Sequence, residues 1–351
     1  MKNKKQNRKS KFSKKRKTNN RKTNNRKSHK TRKTHRKYTR KYTRKMKGGV
    51  HTSIYNKDDF IRDISVVDNS GERIFLPDDV AENIYNMEIF TPNDNYELQQ
   101  VVNLWCDNRV AAEGRYGHIS RWDTSLITDM RALFKDKSDF NDDISGWDVS
   151  KVENMVGMFW NANSFNQPLN NWDVSKVENI NTMFLNANSF NQDISRWNVS
   201  NVIDMSFMFW RATRFNQDIS RWNVSNVTNM GFMFEGATFF NQPLNTHEVT
   251  HDDGSIYMAW DVLNVTNMNN MFSNATRFNQ DISRWNVSNV TNMSNMFHIA
   301  TSFNQPLNNW NVPNVEDMED MFLNSGMVEL PDWFDENIIG FEDDDDDWGD
   351  N

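Results

Sequence analysis

The residues best suited to chemistry lie together at one point in the chain. His247-Glu248-Val249-Thr250-His251 satisfies H-E-x-x-H, which on a helix places two zinc-binding imidazoles on one face with a glutamate as general base. Such a helix would hold β-branched Val249 and Thr250, and would be squeezed between Pro243 and Asp252-Asp253-Gly254. That composition disfavours it. The nearest third ligands are Asp252 and Asp253, and a loop offers no cleft for a substrate. The motif is therefore expected to be a plain loop, with no catalytic residue, metal or cofactor assigned. No G-x-S-x-G, phosphate-binding loop or G-x-G-x-x-G stands between a strand and a helix, so a non-enzymatic protein is expected. The lone Cys106 cannot form an intramolecular disulfide and is expected in the core.

The elements that hold this motif are internal repeats. Trp122, Trp147, Trp172, Trp197 and Trp222 are each 25 residues apart, as are Trp260, Trp285 and Trp310. Between Trp222 and Trp260 the gap is 38 residues, which places an insertion of 13 at His247 to Ala259, around the H-E-x-x-H sequence. Each unit reads F-N-Q-[DP]-[IL]-x-x-W-[DN]-V-S-x-V-x-x-M-x-x-M-F-x-x-A-x-x. In the copy that starts at Phe278, nine slots are expected to face inward: Phe278, Ile282, Trp285, Val287, Val290, Met293, Met296, Phe297 and Ala300. Ile282, Trp285 and Val287 follow the spacing of a leucine-rich repeat and predict a short strand. Met293, Met296, Phe297 and Ala300, at i, i+3, i+4 and i+7, predict one face of a short helix. The expected fold is thus α/β, a leucine-rich-repeat-like solenoid of about eight 25-residue units with a capping helix and a disordered basic N-terminal arm. The repeated Asn of F-N-Q is expected to satisfy backbone groups of the adjacent unit at a tight corner.

On that reading the residue after each Trp points outward from the strand. Asp123, Asp148, Asp173, Asn198, Asn223, Asp261, Asn286 and Asn311 form this column, with Arg121, Arg196, Arg221 and Arg284 just before their tryptophans. A polar ladder at about 4.8 Å per step suits a protein ligand and is the candidate binding face.

Charge divides the chain further. Residues 1–48 contain 24 of the 41 Lys and Arg and no Asp or Glu, so the remaining 17 basic residues face all 47 acidic ones, a net of −30. Such an arm lacks the apolar surface to offset the entropy of ordering and is expected to be disordered. Its clusters Lys14, Lys15, Arg16, Lys17 and Arg36, Lys37, Arg40, Lys41 are the candidate contacts to nucleic acid or another polyanion, or an import signal. An acidic tail lies at Glu342 to Asp347. No run of about 18 apolar residues is present, so no membrane span is expected. With no secretory signal in view, an intracellular, nuclear or virion-associated protein is expected.

The remaining boundaries follow from composition. Residues 49–91 form a small segment of unclear fold, and residues 92–117 one amphipathic capping helix that starts at Asp94 with Glu97 and carries Leu98, Val101, Val102 and Trp105 on one face. The repeats fill 118–327. A C-terminal cap with Leu330, Trp333 and Phe334, followed by the acidic tail, occupies 328–351.

FNQDISRWNVSNVTNMSNMF and its sister copies, with the leading segment Leu104 to Met130 and LPDWF at Leu330 to Phe334, resemble the BspA-like leucine-rich-repeat surface proteins. That family occurs in bacterial surface proteins and lipoproteins, with similar arrays in protists and large DNA viruses. The resemblance implies protein binding or adhesion and supplies no catalytic motif. The function expected is a non-enzymatic interaction platform with a polyanion-binding arm. The alternative is a structural or virion assembly protein held by contacts between the arm and acidic bodies.

Overall fold

The computed structural model describes residues 89–250 and 253–334, together with the backbone of 65–67 and 73–75. The basic arm with its Lys14 and Arg36 clusters, most of 49–91, His251 and the acidic tail lie outside the described residues. The chain divides into two units, 1–88 and 89–351. In the first, β1 (Ser65–Val67) pairs antiparallel with β2 (Arg73–Phe75).

The second unit opens with two helices where the sequence predicts one. Helix α1 runs over Asn95–Asp107 and α2 over Arg109–Tyr116, separated by Asn108 at φ −152°. This extended residue interrupts the helix, and its side chain caps α2 by accepting from the Ala111 N–H at 3.1 Å. Asp94 caps α1 by accepting from the Glu97 N–H at 2.8 Å. Leu98, Val101, Val102 and Trp105 form the buried face of α1, as the spacing predicts. Trp105 meets Trp122 of the first repeat edge-on at 5.7 Å, so α1 covers the end of the repeat core.

From Trp122 onward, tandem units lie one on the next. All nine inward slots of the copy from Phe278 are buried. Equivalent rings stack from unit to unit, as Phe272 on Phe297 at 5.7 Å and Phe278 on Phe303 at 5.8 Å. From Trp147 to Trp310 the indole N–H of each period-setting Trp donates to a carbonyl of the preceding unit, as Trp197 to Leu169 O at 2.9 Å and Trp310 to Ile282 O at 3.1 Å.

The strand and helix expected inside each unit are not what forms. Little strand is present, and the pairing between units is a chain of isolated parallel bridges from Asp129↔Asn154 to Asn292↔Asp317. These lie at the Asn or Asp that precedes the first Met slot, not at the Trp. Residues 293–300 are consecutive tight turns: the Met296 N–H donates to Met293 O, His298 to Asn295 O and Ala300 to Phe297 O. Asn295 and Ile299 both have φ +56°. A left-handed residue every fourth position is incompatible with a right-handed helix but supplies the third residue that type II turns require. The turns turn inward at the same i, i+3, i+4, i+7 positions a helix would. They also leave alternate N–H groups free for the next unit, as Met293 to Asp317 O, Asn295 to Glu319 O and Phe297 to Met321 O, at 2.7–2.8 Å.

The F-N-Q asparagines run as a ladder, each accepting on Oδ1 from the next unit's Asn N–H, as Asn191 to Asn166 and Asn216 to Asn191 at 2.9 Å. At the far end Trp333 continues the indole series, donating to Leu307 O at 2.8 Å and stacking 6.2 Å from Trp310, with Phe334 edge-on to Phe322 at 5.0 Å. Leu330, expected beside them, is 38% exposed because buried Pro331 takes the position against the core.

The insertion is an antiparallel hairpin, β3 (His247–Thr250) and β4 (Ile256–Ala259), in which His247 pairs with Ala259. It closes where it leaves the repeat, since Thr246 Oγ1 donates to Trp260 O at 2.7 Å. Trp260 sits at φ +50°, unlike the other repeat tryptophans.

A polar cluster ties the helices to the first units. Trp105 Nε1 donates to Asp142 Oδ2 at 2.7 Å, Arg109 pairs with Asp142 at 2.8 Å and approaches His118 Nε2 at 3.1 Å, and His118 Nδ1 meets Ser120 Oγ at 2.8 Å. Burial first, then the Arg109 charge, push the His118 imidazole down to about 4 from 6.5.

Three outcomes follow from this packing. Trp197→Ala should cost about 3–5 kcal/mol of unfolding free energy and loosen neighbouring units, while Asn198→Ala costs much less; equal losses in denaturant melts would contradict the inward and outward assignment. Deleting His247 to Ala259 joins Thr246 to Trp260, restores the 25-residue period and removes a left-handed tryptophan worth about 1 kcal/mol of strain. The thermal midpoint should hold or rise. Because the folded imidazole of His118 resists protonation that the unfolded chain accepts, stability should fall as pH drops from about 6.5 to about 4. His118→Gln should flatten that pH dependence in melts followed by Trp fluorescence.

Candidate interaction surface

The described part of the H-E-x-x-H sequence, His247 to Thr250, is a strand and not a helix. His247, Glu248, Val249 and Thr250 lie on β3, where side chains alternate between faces, so the helical i, i+4 placement does not arise. His247 Nδ1 lies 3.0 Å from Asn245 O, and Val249 is buried against the repeats. Among the described residues no group of three or more His, Cys, Asp or Glu is placed to hold a metal ion. Cys106 is half-buried against the core, and burial pushes its thiol up to about 11.

The column after each Trp occupies a corner, not a strand. The side-chain oxygens of Asp123, Asp148, Asp173, Asn198, Asn223, Asp261 and Asn286 each accept from the N–H two residues on, at 3.0–3.2 Å. This is an Asx turn, for which Asp and Asn are suited because their short side chains reach that N–H. The outward position predicted for the column is met by Asp173, Asn198, Asn286 and Asn311, which are exposed, whereas Asp123, Asp148, Asn223 and Asp261 are half-buried. One oxygen of each of these seven Asx-turn residues is therefore engaged locally.

The arginines vary in their surroundings. Arg196, Arg221 and Arg284 are exposed, Arg196 and Arg284 at corners three units apart, and Arg221 between them reaches Thr250 O of the hairpin at 3.5 Å while Tyr257 donates to Arg221 O. Arg121 is half-buried, and its neighbour Asp123 accepts from Thr91 Oγ1 at 3.4 Å and donates its N–H to Phe90 O. The first unit is thus covered by the segment before α1, whereas Arg196, Asn198, Arg284 and Asn286 lie in the open part of the face.

Two further Asx turns recur, at D-I-S, as Ser195 N–H to Asp193 at 2.9 Å, and at the bridge residue, as Val156 N–H to Asn154 at 3.0 Å. The Ser195 hydroxyl first, then the Ser195 backbone N–H, hold the Asp193 carboxyl below the usual range. A second polar column escapes the Trp-centred reading: Asp136, Asn161, Asn186, Arg211, Gly236 and Asn274 all sit at positive φ in the last turn of their units. Its signal in the sequence is the repeated Asp or Asn four residues before the Phe slot, interrupted by Arg211, Gly236 and Ile299.

Comparison with known proteins adds one finding. Residues 107–209, 169–258 and 252–338 each match a family described as Mycoplasma protein of unknown function, DUF285. No curated protein and no solved structure matches the chain. Successive overlapping matches over about two thirds of the length, in register with tandem units of regular aromatic spacing, mean that the chain belongs to the DUF285 family.

Proposed function

We propose that this protein is a non-enzymatic binding scaffold: a repeat solenoid that presents a polar corner face to a protein ligand, with its basic arm attaching it to a polyanion. The observation that carries the reading is the repetition of exposed Arg and Asx side chains, Arg196 with Asn198 and Arg284 with Asn286, on units whose nine apolar slots are all spent in the core. A stack in which each unit touches its neighbours is well suited to offering the same group at regular intervals along one side. The resemblance to BspA-like arrays supports protein binding, and the separation of 24 basic residues in 1–48 from a remainder of net −30 supports a distinct role for the arm. In this reading Lys14 to Lys17 and the Arg36 to Lys41 cluster contact phosphate and leave base edges unread. No helix among the described residues is long and apolar enough to cross a membrane.

The test separates the two surfaces. Duplex DNA should bind the full chain with an affinity that falls log-linearly with salt, by about 0.9 in slope per phosphate neutralised, and with little dependence on sequence. Removing residues 1–48 should abolish this binding, and DNA affinity retained without the arm would refute its role. A partner captured saturably by the full chain should be lost from an Arg196→Asn, Arg221→Asn, Arg284→Asn variant of unchanged thermal midpoint; equal capture would refute the corner face. Oligomers that dissolve on raising salt or deleting the arm, with weak DNA binding, would instead establish assembly through arm-to-body contacts.

A further inference from the structure

A second surface of the stack, away from the corner face, departs from the repeat in a way that the fold does not need. The last turn of each unit holds a residue at positive φ, and Asn or Asp suits it because short polar side chains tolerate the left-handed region. Their side chains then join in a directional ladder: Asn161 Nδ2 donates to Asp136 Oδ1 at 2.7 Å, and Asn186 Nδ2 donates to Asn161 Oδ1 at 2.8 Å. Beside it Asn188 Nδ2 donates to Asn163 Oδ1 at 3.2 Å.

The ladder breaks at the next two units. Arg211 takes the left-handed position at φ +53°, where its side chain adds no rung to the amide ladder, and Gly236 follows at φ +67°. A Cβ on Gly236 would come within 3.0 Å of Arg211 Cγ, so the missing side chain makes room for the arginine stem. The guanidinium lies 4.2 Å from the centre of the Trp210 ring. Next to it, Glu235 Oε2 and Trp210 Nε1 are both buried without completing a hydrogen bond. Burial pushes the Glu235 carboxyl above its ordinary range, against the pull of the neighbouring Trp210 N–H and Arg211. The result is an open groove of about 580 Å³ running along the stack from Asn161 to Asn274.

The chemistry of the lining selects among ligands. It carries one cation and one anion, which cancel, and amides that can each donate and accept. No apolar side chain lines it, so the anchors that an extended peptide ordinarily needs have nowhere to go. A polyanion would meet Glu235 and a strongly acidic body. A buried carboxylate oxygen without a partner calls for a hydroxyl or amide donor. Successive units offer these groups at about the 4.8 Å interval of paired chains, close to the length of one pyranose ring in an extended glycan.

We propose that this groove binds a neutral linear oligosaccharide, with Glu235 accepting from a sugar hydroxyl, Arg211 donating to sugar oxygens and the Asn161–Asn186 ladder flanking them. This site is independent of the corner face and of the arm. The test titrates the full chain calorimetrically with hexamers of β-1,4-glucose, β-1,4-N-acetylglucosamine, β-1,4-mannose and α-1,4-glucose, and with their dimers. At least one hexamer should bind, more tightly than its dimer. Arg211→Asn with Gly236→Asn restores the repeat's own residue at both turns, and should weaken that binding at least about tenfold while the thermal midpoint holds or rises. Glu235→Gln should weaken it as well. Binding by none of the four hexamers, equal binding by the double variant, or displacement of the bound hexamer by uncharged hexapeptides would overturn the proposal.

Discussion

The hydrogen bond from the period-setting tryptophan of each unit, Trp147 to Trp310, to a carbonyl of the unit before it is the interaction on which the rest of the stack depends. Each of these N–H groups is buried, and leaving one unmet would cost about 1–3 kcal/mol. It is met only if the preceding unit presents its Ile or Leu carbonyl at the right height, as Ile144 does for Trp172 at 3.2 Å and Leu244 for Trp285 at 2.7 Å. The second example spans the hairpin insertion, so the register is kept by the indole contact even where the chain between the two partners is 13 residues longer. The bond therefore ties the packing of the largest side chain to the spacing of the backbone, and the stacked Phe columns follow at that spacing.

Asparagine carries much of the remaining order, in three ways that differ physically. At the F-N-Q corner its side chain accepts from the next unit, as Asn241 from Asn279 at 3.0 Å. At the bridge and after the Trp it closes a local Asx turn. In the last turn it occupies positive φ and joins a side-chain ladder. Together these consume the polar groups that a chain with so little strand and helix would otherwise leave unpaired in a buried setting. A composition only 37% hydrophobic can hold a continuous core because nearly every apolar residue of the unit occupies an inward slot.

Such regularity changes what marks a candidate site. Where the repeated residue meets a need of the fold, its recurrence carries no information about a ligand, and the Asx-turn columns belong in this class. Departures carry more. The arginines at the corner are not required by the turn they precede, and Arg211, Glu235 and Gly236 replace a self-satisfied amide ladder with a charged pair and open space. The hairpin is a departure too, but its strands pair with each other and its Val249 is buried, so its presence is explained by its own contacts.

The sequence by itself determined the 25-residue period, the nine buried slots, the place of the insertion and the buried face of α1, because burial depends on side-chain type and repetition makes the pattern legible without any backbone geometry. Asn108 as the break between two helices, the hairpin in place of a loop, and the turns in place of strand and helix were decided only by tertiary structure. The spacing of Met293, Met296, Phe297 and Ala300 is common to a helix and to a run of turns that faces the same core. What separates the two is where alternate N–H groups find acceptors. A short isolated helix is marginal in water, whereas the next unit supplies carbonyls at 2.7–2.9 Å along the whole segment. That choice rests on a partner 24 residues away, as Met293 to Asp317 shows. The groove beside Arg211 was hidden for the same reason, since its walls come from several units and meet only once they are stacked.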